Sequence, residues 1–539
     1  MVLLTRLEEV ALQYDVIIRG GIILDGTGSP PFRADIGVRG DTIIKIGDLS
    51  GAQAEVVVDA SELYVSPGFI DIHNHSDVSI FAVPTADNYV LQGVTTIVVG
   101  NCGSSPAPLT ELNRELVERY KKLYPEVNIN WKSFPEYLDK LDSLPKKINV
   151  APLVGFGAVR SSVLGFDDVK PTPSQLAEMK EAVDEAMRSG AFGLSTGLIY
   201  TPQDYADTSE IIELCKVVAR YGGIYSTHMR NEGIRLIDSV MEAVSIGLAS
   251  GCPVEISHLK AVGKPAWGLV RKALDLIEYY ASLGYDVSAD VYPYTATSTS
   301  LSIVLPPRLR EGGAAKLAER LANLRSLDEL RTEIEKAWRS TGRVLEWSQV
   351  AVALSPSHPE VEGMTVAEIA RSWGVDPVEV VVKLLVDDKG LTSAVYHTLR
   401  EDDVIEAIKS PYTAIGSDGS IRRYGKGKPH PRSYGTFPRV IARYVRELKV
   451  ISLPEAMRKM TSLPARKMRL WDRGILRPGM KADIVVFDYY RIHDTATFEN
   501  PHSYPVGIEY VIVNGKLAVE DGEPTKNMSG RLLRRTVPA

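Results

Sequence analysis

The chain has 539 residues and a net charge of −6, from 62 lysines and arginines against 68 aspartates and glutamates, so no global basic surface exists for nucleic acid or anionic lipid. Hydrophobic residues make up 44% and charged residues 24%, ordinary for a globular protein large enough for more than one core, and three cysteines cannot form a disulfide framework. No run approaches the roughly 18 consecutive apolar residues of a membrane span. The opening MVLLTRLEEVALQYD breaks its apolar run at Arg6, Glu8 and Glu9, a poor pattern for a signal peptide. The reading is cytoplasmic, without nucleic-acid or membrane partners.

In chain order, residues 14–66 come first, with YDVIIRGGIILDG, ADIGVRGDTIIKIG and AEVVVDA as short β-rich runs between Gly and Asp turns. The style returns at the other end, in GILRPGMKADIVVFDYY (474–490) and IEYVIVNGKLAVEDG (508–522). One small β-sandwich built from residues 1–66 and 470–539 is predicted, with a larger domain, 67–469, inserted between them.

That middle alternates apolar strands with helical stretches. The candidate strands are GFIDIHNH (68–75), VTTIVVG (94–100), INVAPLVG (148–155), AFGLSTG (191–197), GGIYSTH (222–228), PVEISHLK (253–260), DVSADVY (286–292) and YTAIGSDG (412–419). Between them lie helical patterns such as TPSQLAEMKEAVDEAMRSG (172–190), with Pro near its start and Gly at its end. Eight such units predict an α/β fold of the (β/α)₈ TIM-type barrel class; a doubly wound sheet is the alternative. The segment of about 306–410 is read as an insertion late in the barrel, with strand-like runs VAVALSP (350–356) and TSAVYH (392–397) that leave the seventh barrel strand open.

Four of nine histidines fall at carboxyl ends of these strands: His73, His75, His228 and His258. In a barrel those ends converge on the face where active sites form. The His-x-His pair puts both imidazoles on one side of a strand, and neutral imidazoles suit a divalent transition metal. Any one of these histidines alone reads as a satisfied core residue; their recurrence points to ligation. Asp418, in AIGSDGS, could be a plain turn residue, a weak ligand or the general base for activated water. Cys215 and Cys252 fit a buried apolar role. Cys102, in GNCGSSPAP, ends the second strand among small residues, where a thiolate could ligate zinc or act as a nucleophile with His228 or His258 as base. The remaining five histidines read as packing or surface residues.

GFIDIHNHSD, the later strand-end histidines and SDG resemble the amidohydrolase superfamily, metal-dependent hydrolases on a (β/α)₈ barrel with an attached β-sandwich. GNCGSSPAP, STGLIYTP, THMRNEG, ISHLK, DVYPYTA and PHPRSYGTFPRV are similar to its N-acyl-D-amino-acid deacylase branch. The resemblance implies a tightly held zinc on Cys102, His228 and His258, and a second, weaker site at His73 and His75 with Cys102 able to bridge. It implies Asp418 as catalytic aspartate, Lys260, Tyr292 and Arg432 around a substrate α-carboxylate, and Tyr200 facing the scissile carbonyl. Many relatives carry a bridging lysine on the fourth strand; here that strand ends LSTG (194–197). The activity implied is zinc-dependent hydrolysis of N-acyl-D-amino acids. A cyclic-amide hydrolase and a non-catalytic scaffold are the alternatives. The apolar run after Tyr292 favours an apolar D-residue unless Arg308 reaches inward. Oligomeric state is not legible.

Overall fold

A computed structural model of the chain describes residues 13–340 and 346–535. The start discussed above as a poor signal peptide lies, for residues 1–12, outside the described residues.

The strands of both chain ends share one nine-stranded sheet. Tyr64–Pro67 is its junction: it runs parallel to Gln13–Ile23 and pairs antiparallel with Ile484–Phe487, with Val65 opposite Val486. Alternation explains its buried face. Val16 and Ile18, then Ile36 and Val38, then Ile484 and Val486 point the same way along their strands and pack in one apolar cluster with Ile512.

Eight parallel strands follow: β1 (Phe69–Asp71), β2 (Val94–Val99), β3 (Asn149–Pro152, resumed at Val154–Gly155), β4 (Gly193–Gly197), β5 (Ile224–His228), β6 (Val254–Ile256), β7 (Val287–Val291) and β8 (Thr413–Ile415). Each pairs in parallel with the next in order. The last also meets the first beyond their ends, since Asn74 bridges in parallel to Gly419 and Asp418 N donates to His73 O at 2.8 Å. The strand residues are buried throughout, which is why these runs are nearly continuously apolar rather than alternating.

Helices connect them. Pro173–Arg188 shows how local sequence sets one: Thr172 accepts from Gln175 N, Gln175 reaches back to Thr172 N at 2.9 Å, and Pro173 occupies the first turn where no N–H is needed. Met179, Val183, Ala186 and Met187 form its buried stripe. Each of the larger three contributes about 1.5–3 kcal/mol by leaving water.

Between β7 and β8 the chain builds a separate three-stranded antiparallel sheet, Thr297–Ser300 and Val350–Leu354 flanking Ser393–Tyr396. Its helices bury their own apolar cluster, from Leu301 to Tyr396. The helix Glu401–Lys409 instead places Val404, Ala407 and Ile408 in the cluster that holds residues of β6 and β7. No described helix is long and apolar enough to cross a membrane.

Candidate active site

The carboxyl ends of β1, β2, β5, β6 and β8 bring five donor side chains and a carboxylate together. Cys102 Sγ lies 3.4 Å from His73 Nε2, 3.7 Å from His228 Nδ1 and 3.4 Å from His258 Nε2. Asp418 Oδ1 lies 3.0 Å from His75 Nε2 and 3.6 Å from His73 Nε2. Three overlapping sets, each with its donor atoms within 4.8 Å of one another, can hold an ion: His73–His75–Cys102, Cys102–His228–His258 and His73–His258–Asp418.

The backbone is strained where the donors must turn inward. Cys102, His258 and Asp418 all have positive φ, at 53°, 37° and 51°. Such conformations cost about 1–3 kcal/mol each for residues with a side chain and persist where the surroundings hold them. At Cys102 the hold comes from β4 and the loop after it: Gln203 Nε2 donates to Cys102 O at 3.2 Å, and Gly103 N donates to Ser195 Oγ at 2.9 Å. Gly100 is required beside it, because a Cβ there would sit 2.0 Å from Leu153 O.

Electrostatics follow from the crowding. Burial alone would raise the Cys102 thiol, but the charges of His73 and His258 and hydrogen bonds from His228 and His258 hold it well below the usual thiol range. Burial likewise works against ionised Asp418, and Arg432, with Nη1 2.7 Å from Asp418 Oδ2, together with His258, His75 and His73 overcomes it and keeps the carboxyl well below its ordinary value. Burial lowers His228, which favours the neutral imidazole that a metal needs.

A thiolate, buried imidazoles and a carboxylate this close fit a borderline-soft divalent ion with mixed sulfur, nitrogen and oxygen ligation, and zinc meets that description. The histidine orientations are themselves supported. Asp290 on β7 accepts from His258 N at 2.9 Å and faces His73 Nδ1 at 3.2 Å. Glu232 lies 3.2 Å from His258 Nδ1, 3.5 Å from His228 Nε2 and 2.6 Å from Lys260 Nζ. Neither acid was singled out in the sequence. Asp290 had a signal, a charge inside the apolar run DVSADVY; Glu232 had only its place in THMRNEG.

A cavity of about 730 Å³ opens onto the cluster and is lined by His75, Cys102, Tyr200, His228, Lys260 and Arg432 among others. Tyr200 O–H is 2.9 Å from Thr299 Oγ1, and its ring meets that of His228 edge-on with centroids 5.0 Å apart. Tyr292, expected beside Lys260 and Arg432, is near both but does not line this cavity: its ring centroid is 4.8 Å from Arg432 Cζ and 5.8 Å from Lys260 Nζ. Beside the two cations its buried hydroxyl has no hydrogen-bond partner among the described residues. Lys260 Nζ is committed to Glu232. Arg308 does not reach inward; it pairs with Glu333 on the exposed side of the insertion.

Parallel strands whose carboxyl ends present clustered metal donors, with an ionised carboxylate alongside, define a metal-dependent hydrolase. Comparison with known proteins specifies which. The amidohydrolase family model matches residues 56–240 and 319–519. The D-aminoacylase of Alcaligenes xylosoxydans xylosoxydans is 38% identical over 97% of this chain and 98% of its own. The structure of N-acyl-D-glutamate deacylase from Bordetella bronchiseptica, complexed with zinc and a phosphonate mimic of the tetrahedral intermediate, superposes with a TM-score of 0.82 at 33% identity, over 97% of this chain and 100% of that one. A D-aminoacylase structure described for its binuclear metal centre gives 0.81 at 35% identity, with the same coverage of both chains. The chain belongs to the amidohydrolase family, in the group that contains the D-aminoacylases.

Proposed function

We propose that this protein hydrolyses the amide bond of N-acyl-D-amino acids, releasing a carboxylate and the free D-amino acid. The observation that carries the reading is the pairing of Asp418 with Arg432 at 2.7 Å beside the donor cluster, which sets a base and a carboxylate-binding cation side by side in one cavity. Cys102, His228 and His258 are assigned to a tightly held zinc, and His73 and His75, with Asp418 as weak ligand, to a second and weaker position. Zinc there supplies Lewis acidity toward a carbonyl oxygen and lowers the pKa of water to roughly 7. Asp418, ionised and buried, accepts the proton from the attacking water and passes it to the departing nitrogen. Arg432 gives two-pronged contacts to the α-carboxylate, Lys260 adds charge, and the Tyr292 hydroxyl donates to that carboxylate. Tyr200 donates toward the scissile carbonyl.

The architecture assigned is a closed (β/α)₈ barrel, residues 67–469, carrying a β-sandwich from residues 1–66 and 470–539. The parallel pairing in order and the β8–β1 bridge support it, and the insertion assigned to about 306–410 fits the separate apolar cluster, whose sheet starts earlier, at Thr297. A reducing, cytoplasmic compartment suits three free, buried thiols. The outer cavity wall has Ile303, Leu317, Trp338 and Leu391, and Arg310 there is paired with Asp204, which supports a neutral, apolar D-side chain. The test is a panel of N-acetyl-D-amino acids, their L-enantiomers and hydantoins, with zinc quantified. Preferred cleavage of N-acetyl-D-leucine is expected; turnover of hydantoins alone overturns the proposal.

A further inference from the structure

The mouth of the cavity is unevenly charged. Arg119, Lys122, Lys389 and Arg422 line it, the first three exposed and the fourth half-buried. None has an ion pair or a side-chain hydrogen bond to another described residue. Most acids that line the cavity are already engaged. Glu115 accepts from Ala314 N at 2.8 Å and from Ala315 N at 3.2 Å, capping the helix Gly313–Ala322. Glu118 pairs with Lys121 at 3.5 Å, Glu232 with Lys260, and Asp418 with Arg432. Glu115 and Asp77 stand without a cation, and Asp77 is buried, 7% exposed. On a chain of net charge −6, an opening where four unpaired cations face only two unpaired acids, one of them buried, is a local reversal of sign. Low-dielectric walls focus such a field into the cleft and raise anion capture by about 10–10³-fold.

We propose that Arg119, Lys122, Lys389 and Arg422 form a cationic rim that draws anionic substrates, and dianions more than monoanions, toward Arg432 and Lys260. This rests on the reading that the substrate is an N-acyl-amino-acid anion, and adds how it is captured. The four residues touch no reacting atom, so their charge enters kcat/KM and not kcat. The test uses zinc-loaded enzyme and N-acetyl-D-leucine between about 10 mM and about 300 mM salt, where the screening length falls from about 30 Å to under 10 Å. Wild-type kcat/KM should fall as salt rises, and more steeply for N-acetyl-D-glutamate. A variant carrying Arg119→Gln, Lys122→Gln, Lys389→Asn and Arg422→Gln should lose about tenfold in kcat/KM at low salt, keep kcat, and respond little to salt. Asn is chosen at 389 because φ there is 53°. A control of equal net charge removes Lys45, Lys272, Arg477 and Lys516, none of which lines the cavity, and should behave as wild type. A second variant that spares the half-buried Arg422 covers any folding defect. Activity with a flat salt response, or equal losses in rim and control variants, overturns the rim. Absence of all amidase activity in the wild type refutes the proposed function as well.

Discussion

Replacing Cys102 by alanine separates the two chemistries open to that thiol. The substitution removes an atom 3.4–3.7 Å from three imidazole nitrogens and little else. Alanine meets the same φ of 53° with the same penalty as cysteine. The fold therefore loses only the burial of one small group, about 1 kcal/mol. Metal affinity loses far more. Zinc sites of four ligands are worth about 10–16 kcal/mol, so one ligand's share is about 2.5–4 kcal/mol, an affinity loss of about 10²–10³-fold. Competition with a chromophoric chelator reads that loss, alongside the zinc-to-protein ratio by mass spectrometry, and melting of the metal-free proteins reads the fold. Wild-type zinc affinity together with abolished hydrolysis would refute the ligand assignment and return Cys102 to the role of nucleophile.

Asp418→Asn should retain zinc and lower kcat by about 10²–10⁴-fold, measured at saturating substrate; an unchanged rate would place the base elsewhere. Arg432→Lys keeps the charge but loses the two-pronged contact, so kcat/KM for N-acyl-D-amino acids should fall by about tenfold or more at unchanged zinc content. Asp290→Ala leaves His73 Nδ1 and His258 N without their acceptor and should weaken zinc binding by about 10–100-fold in the chelator assay. Unaltered affinity would reduce Asp290 to a packing residue.

Much of the strand order could be read directly. Residues 94–99, 193–197 and 224–228 are strands inside their expected runs, because a strand buried on both faces must be apolar along its length and its end is where polarity begins. The runs 350–356 and 392–397 were harder, since periodicity does not say which sheet a strand joins. They pair antiparallel with each other, and β8 instead lies beside β7. At the site, His73, His75, Cys102, His228, His258 and Asp418 are visible in sequence as polar residues where apolar runs stop. Tyr292 is expected beside Lys260 and Arg432, and its ring does lie against both.

What the sequence by itself determined was the set of donors, since residue type and distance from a strand end are local properties. Tertiary structure alone decided how those donors are held. His73 meets Asp290 across 217 positions of chain, and His75 meets Asp418 across 343. Glu232 gathers His228, His258 and Lys260 only because β5 and β6 are neighbours. The cationic mouth is non-local in the same way. Whether a charge on a surface is free or neutralised depends on which acid folds beside it, and no pattern along the chain carries that information.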